Sequence, residues 1–196
     1  VAYEPTELVI TARAGTPLAE IEETLASHNQ MLGFEPPHFD GGATIGGAVA
    51  SGLSGPARPY HGAARDFVLG VDVIDGRGEL LSFGGQVMKN VAGFDVARLL
   101  AGSLGTLGVL VQVSLRVLPR PRVQRTLLWR LTHAQALQRM MDLAAAPWPI
   151  TAMCYDGELL RLRAAGSDEA VSHACAELAP DIESDDVDYW RDLRDL

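Results

Sequence analysis

The chain has 196 residues, 47% of them hydrophobic and 21% charged, which is enough apolar material for one core or two small adjoining ones, so that disorder is not the default expectation. Its formal net charge of −9 is uneven, with twelve acids against four arginines from Asp156 onward but thirteen acids against twelve bases in residues 1–155. The acidity argues against a nucleic-acid footprint, and the longest uncharged run, Leu99 to Leu115, is broken by Gly102, Gly105 and Gly108, which argues against a membrane span.

The chain opens "VAYEPTELVITARAG", without the features of a leader peptide and as if in the middle of a domain. Glu7 to Ala12 has strand composition. A helix is predicted next, with Thr16 as N-cap, Pro17 at its first position and Leu18, Ile21 and Leu25 as an apolar stripe. A short strand through Met31 and Leu32 is then stopped by Pro36 and Pro37. Leu69, Val71 and Val73 alternate into a turn at Asp75 to Gly78, and Leu80 to Phe83 return as the second arm of a hairpin. Asp95 is placed to cap a short helix ending at Gly102. The strand that follows is expected to set Leu107, Val109, Val111, Val113, Leu115 and Val117 on one face, with the other partly solvated.

"PRPR", Pro119 to Arg122, is a composition break and the expected domain boundary, giving domains of 1–120 and 121–196. Beyond it the order strand, helix, strand, strand, helix makes most of a ferredoxin-like unit. Its last strand has to come from "DIESDDVDYWRDLRDL" or from beyond that segment. Cys154 and Cys175 stand far apart and outside any Cys-x-x-Cys spacing, and read as reduced core thiols of a cytosolic protein, with a disulfide as the lesser alternative.

The segment "GGATIGGAVASGLSG", Gly41 to Gly55, holds six glycines in fifteen residues. Two readings are open. The peptide N–H groups of Gly46 and Gly47, heading the small-residue run Ala48 to Gly52, suit a diphosphate. Equally, the glycines let a helix and a sheet pack closely. Neither Gly-x-Gly-x-x-Gly between strand and helix nor Gly-x-x-x-x-Gly-Lys-Ser/Thr is present, and Ser51, Ser54 and Ser103 lie outside Gly-x-Ser-x-Gly. The histidines His28, His38, His61, His133 and His173 are never three or four residues apart, so no metal site is expected. His61, between Tyr60 and Gly62, is the histidine to watch, although a loop hydrogen bond is its plainer role. The arginines from Arg98 to Arg139 read as a solvated sheet face and linker, and Trp129, Trp148 and Trp190 as packing residues.

Four motifs in fixed order carry a resemblance: T-x-G-G at Thr44 to Gly47, Y-x-G-x-x-R-D at Tyr60 to Asp66, V-x-D-G-x-G at Val73 to Gly78, and "GSLGTLGV" at Gly102 to Val109. Together they resemble the FAD-binding domain of the vanillyl-alcohol oxidase and p-cresol methylhydroxylase (PCMH-type) family. The resemblance implies an α+β chain: a PCMH-type FAD-binding domain of two α+β subdomains, the first incomplete, then a partial ferredoxin-like cap. It implies FAD, with pyrophosphate along Thr44, Ile45, Gly46 and Gly47 and against Ser51 and Gly52. The same resemblance puts Gly105, Thr106, Gly108 and Val109 on the adenine side, with Lys89 and Asn90 toward the flavin, and His61 is counted among the candidate cofactor-binding residues. The family's first phosphate loop belongs upstream of Val1, and the chain reads as cut inside the cap.

The implied activity is oxidation of a small 2-hydroxy acid, with glycolate to glyoxylate the leading expectation. The expected setting is a complex with a second flavin subunit and an iron–sulfur subunit, cytoplasmic or peripheral on the inner membrane face. No catalytic residue is assigned. A different flavin-dependent 2-hydroxyacid dehydrogenase and a flavin-free assembly subunit are the alternatives.

Overall fold

The computed structural model describes residues 1–85 and 94–195. In chain order the elements are β1 (Ala2–Glu4), a 3-10 turn (Pro5–Glu7), β2 (Val9–Arg13), α1 (Leu18–Ala26), β3 (Gln30–Met31), α2 (Ile45–Ser51), α3 (Arg58–His61), α4 (Ala64–Phe67), β4 (Val68–Ile74), β5 (Leu80–Gly84), α5 (Val96–Leu100), β6 (Val109–Arg116) and β7 (Leu118–Pro119). They continue as β8 (Val123–Arg130), α6 (His133–Ala144), β9 (Ile150–Tyr155), β10 (Leu159–Gly166), α7 (Asp168–Leu178), β11 (Ile182–Ser184) and α8 (Val187–Asp195). Contacts divide the chain into a first unit, residues 1–120 with Arg194 and Asp195, and a second, Pro121–Leu193.

The first unit is built on a five-stranded antiparallel sheet in the order β1-β2-β6-β4-β5. Ile10, Phe34, Phe67 and Leu115 are buried in its core together with the α1 stripe Leu18, Ile21 and Leu25. Burying such side chains is worth about 1.5–3 kcal/mol each. The expected Thr16 cap is absent: Pro17 pairs with Thr44, the Leu18 N–H donates to Ala43 O (3.0 Å), and Thr16 O accepts from Ile45 (2.9 Å). A tertiary strand contact thus replaces the local cap. Asp95 does cap α5, accepting from the Arg98 N–H at 3.1 Å.

One sequence expectation is overturned in β6. The pairing Asp72 with Gln112 is followed by Val73 with Leu110, so Val111 is an extra residue in a bulge, its carbonyl taken by the Ala14 N–H at 2.8 Å. The alternation slips by one there. Val113, Leu115 and Val117 are buried, Leu110 turns to the core, and Leu107 and Val109 are exposed by 52% and 65%.

In the second unit the sheet order is β11-β8-β10-β9, all antiparallel. Taken with α6 and α7, this is the βαββαβ ferredoxin-like arrangement, closed by Ile182–Ser184 from the acidic segment. The partial cap expected from the sequence therefore contains a whole ferredoxin-like unit. Trp129 and Trp190 are buried and Trp148 half-buried beside His173, whereas both cysteines are free and half-buried, not core thiols.

α8 adds an aromatic pair, Tyr189 and Trp190, over two arginines of β10. The Arg161 guanidinium lies 4.2 Å from the Tyr189 ring centroid and that of Arg163 5.3 Å from Trp190. Burial, then the Cys154 thiol, push the Tyr189 phenol from 10.0 up to about 12. The folded state therefore holds this proton more tightly than the unfolded chain. The expected result is full stability below about pH 10 and a loss as pH rises toward 12, absent in Tyr189→Phe, read from urea midpoints.

Candidate functional site

α2 is seven residues, five of them Gly, Ala or Ser, and its first turn is already supplied with hydrogen bonds. The N–H of Ile45 donates to Thr16 O (2.9 Å), that of Gly46 to Ala14 O (2.8 Å), and that of Ala48 to Thr44 O (2.9 Å). Only Gly47 is weakly held, by Thr44 Oγ1 at 3.3 Å, and it is exposed. Gly46 is a packing position: a Cβ there would stand 2.4 Å from Ala14 Cβ and 2.8 Å from Ala14 O. The two glycines of one motif thus have opposite surroundings.

At its other end α2 stops on Gly52, in the left-handed region at φ 68°. The Gly102 N–H donates to Val49 O (3.0 Å) and that of Leu104 to Ala50 O (2.8 Å), so the "GSLGTLGV" loop lies along the helix C-terminus. A Cβ on Gly52 would be 3.0 Å from Gly102 Cα. This sets the half-buried Ser51 and Gly52 beside the loop that carries the exposed Gly105 and Thr106; Gly47, at the other end of α2, and Val109, Leu53, Leu104 and Leu107 are exposed as well.

Gly105, at φ 74°, has nothing within 4 Å of a Cβ position, whereas at Gly108 a Cβ would meet Val73 Cγ2 at 2.6 Å, making it another packing glycine. Ile45 is buried, Ser51 Oγ donates to Ala48 O (3.1 Å) and Thr106 Oγ1 to Ser103 O (2.7 Å). The half-buried His61 ring has Nδ1 3.3 Å from Gly33 O, a loop hydrogen bond. Lys89 and Asn90 lie outside the described residues.

Reading the sequence missed Arg65 as a site residue. A Cβ on Gly102 would be 3.8 Å from its guanidinium, which places a cation beside the Gly102 loop. The available signal was the acid-free run Gly41 to Arg65; Val96 to Met141 is likewise without acids. An anion laid on these segments meets no carboxylate from them. On β4, β5 and β6, a shallow recess of about 180 Å³ lined by Gly70, Asp72, Ser82 and Gln112 has its carboxylate engaged by Ser82 Oγ (2.6 Å) and Gln112 Nε2 (3.3 Å). Among the described residues no His/Cys/Asp/Glu group suits a metal ion, and no helix is long and apolar enough to cross a membrane.

Comparison with known proteins gives the class of the first unit. Residues 1–84 match the family described as FAD binding domain. FAD is the cofactor that this match indicates. It is 48% identical over 197 aligned positions, all of this chain and 55% of the relative, to glycolate oxidase subunit GlcE of Escherichia coli (strain K12).

Glycolate oxidase subunit GlcD of Bacillus subtilis (strain 168) is 35% identical over 53% of this chain and 22% of its own length. D-2-Hydroxyglutarate dehydrogenase of Xanthomonas citri pv. viticola is 31% identical over 70% of this chain and 29% of its own length. The chain thus spans about half of the first of these relatives and less of the others. Alkyldihydroxyacetonephosphate synthase shares the fold, with TM-score 0.79 and 16% identity over all of this chain and 43% of that one.

Proposed function

We propose that this chain is the FAD-holding part of a subunit of a glycolate-oxidising enzyme, acting on a small 2-hydroxy acid within a complex that includes a second flavin subunit and an iron–sulfur subunit. The observation that carries this reading is the 48% identity along the whole chain to a subunit of glycolate oxidase. The surface fits the cofactor in three respects: bare backbone at Gly47 and Gly105, apolar flanks at Leu53, Leu104 and Leu107, and the Arg65 cation beside Gly102.

In this reading Gly47 and the Ser51–Gly52 turn face the diphosphate, with the Arg65 guanidinium as its counter-charge. Gly105, Thr106 and Val109 lie under the adenosine half. Gly46, Ile45 and Gly108 act one layer below, by fixing where that backbone stands. His61 positions the α3 turn through Gly33. When bound, FAD supplies acceptance of a hydride equivalent from the carbon bearing the substrate hydroxyl. The protein works in the cytoplasm or against the inner membrane face.

The test is made in the full-length protein. Gly47→Leu sets a side chain on the exposed backbone at that position and is expected to weaken FAD binding at least tenfold, with the urea midpoint unchanged. Arg65→Met is expected to weaken it about tenfold through the lost charge-assisted contact. Unaltered FAD content in Gly47→Leu removes the site. Substrate profiling of the assembled complex, with glycolate against longer 2-hydroxy acids, tests the substrate separately.

A further inference from the structure

We propose that one side of the second unit, the outer edge of β9 with the flank of α6 beside it, docks a second copy of this chain about a two-fold axis, β9 pairing with β9 and α6 with α6. β9 ends the four-stranded sheet, and among the described residues no strand pairs with its outer edge. The Asp156 N–H donates to Leu159 O (3.3 Å), and bonded and unbonded pairs alternate from there back along the β9–β10 hairpin. Cys154 with Arg161 and Ala152 with Arg163 therefore exchange hydrogen bonds, whereas Met153 and Tyr155 turn their backbone groups outward. The register shift between Arg163 and Ala164 is confined to the start of the strand. Ile150–Tyr155 contains no charged residue and no proline, two of the devices that blunt a free edge, so this edge is a template for another strand.

α6 is bare on the same side. At about 100° per residue, Ala136 and Leu143 point one way and are buried. Ala134, Leu137, Met141, Ala144 and Ala145 form a second apolar arc that is exposed, Leu137 by 55% and Met141 by 59%. Arg139, on the opposite flank, reaches Leu178 O of α7 at 3.1 Å, so the bare arc faces away from α7. His133 stands against Tyr155, with ring centroids 6.0 Å apart, and α6 runs back along β9 from there. Four helical residues rise about 6 Å and two strand residues about 6.6 Å, which puts Leu137 level with Met153.

Two features make the occupant a second copy. A two-fold axis through Met153, normal to the sheet, lays β9 antiparallel to β9, as every pair in this sheet already is. The same axis sets Leu137 against Leu137 of the copy and Ala134 near Met141 of the copy, so one operation closes both bare layers. The charge pattern fits as well. In a chain of net charge −9, neither the α6 arc nor β9 carries a charged side chain. Across the axis Asp156 falls opposite Ile150 and Glu158 opposite Trp148 of the copy, with Asp156 held by Arg161 and Glu158 by Arg130. No like charges are set against each other.

Sedimentation velocity of the full-length protein between about 1 and 100 μM tests the docking. The wild type is expected to pass from monomer to dimer over that range, with a Kd on the order of 10 μM, as for a contact at the small end of specific interfaces. Leu137→Lys and Leu137→Glu change a side chain that is more than half exposed. Each should keep the wild-type urea midpoint and weaken the dimer at least tenfold, because like charges then meet at the axis. Mixing the two variants should restore the dimer, opposite charges now meeting there. A wild type that stays monomeric at 100 μM would assign this side to another occupant and overturn the proposal. So would a dimer that Leu137→Lys leaves intact, or a mixture no more dimeric than either variant alone.

Discussion

Gly46→Val is expected to destabilise the first unit by about 4 kcal/mol, a large part of the 5–15 kcal/mol that holds a typical domain together. Even an alanine Cβ at this position stands 2.4 Å from Ala14 Cβ and 2.8 Å from Ala14 Cα, a backbone atom with no rotamer to offer. The N-terminus of α2 must therefore move off the end of β2. In moving it lengthens Gly46 N–H to Ala14 O and Ile45 N–H to Thr16 O, each worth about 1 kcal/mol net. Overpacking contributes a further 1–3 kcal/mol. Urea unfolding followed by circular dichroism measures it, and a Gly46→Ala protein within about 0.5 kcal/mol of wild type would show that the close approach is not as drawn. Loss of FAD by any Gly46 variant is then read as loss of the fold, and only the exposed Gly47 reports on the cofactor.

What the sequence disclosed was local. The α1 stripe Leu18, Ile21 and Leu25, the hairpin through Asp75 to Gly78 and the Asp95 cap each depend on residues within a turn or two of one another, and each formed as read. The errors share a different cause. Thr16 was deprived of its capping role by Thr44, and the β6 face was reset by a bulge that pairing with β4 imposes. β1, a three-residue strand, has too few residues to show a period, and β11 is three residues inside an acidic run. In the candidate site the motif Thr44 to Gly47 was visible, but nothing in its letters says which glycine faces Ala14 and which faces outward. Arg65 becomes a neighbour of Gly102 only when two segments more than thirty residues apart fold together.

Trp190→Ala should cost about 3–5 kcal/mol in the second unit, because α8 has a single buried anchor. The helix is otherwise polar: Asp188, Arg191, Asp192 and Arg194 line it, and its exposed Arg191–Asp188 pair (3.0 Å) contributes little. Trp190 is 3% exposed, its Nε1–H donates to Thr126 Oγ1 at 2.9 Å, and its ring carries the Arg163 guanidinium. Removing it opens a void over β8 and β10, takes the donor from a hydroxyl on a residue only 1% exposed, and strips the aromatic cover from an arginine that is 5% exposed. Arg163 keeps its bond to Thr151 Oγ1 at 2.9 Å, which holds the guanidinium in place and limits the loss. Trp190→Phe separates these effects: the ring remains, the N–H goes, and the expected cost drops to about 1–2 kcal/mol. Hydrogen exchange of the β8 and β10 amides through a urea titration reads both variants. Equal losses from Phe and Ala would assign the anchoring to the Thr126 hydrogen bond alone, and a loss below about 0.5 kcal/mol in Trp190→Ala would mean that α8 does not lean on this residue.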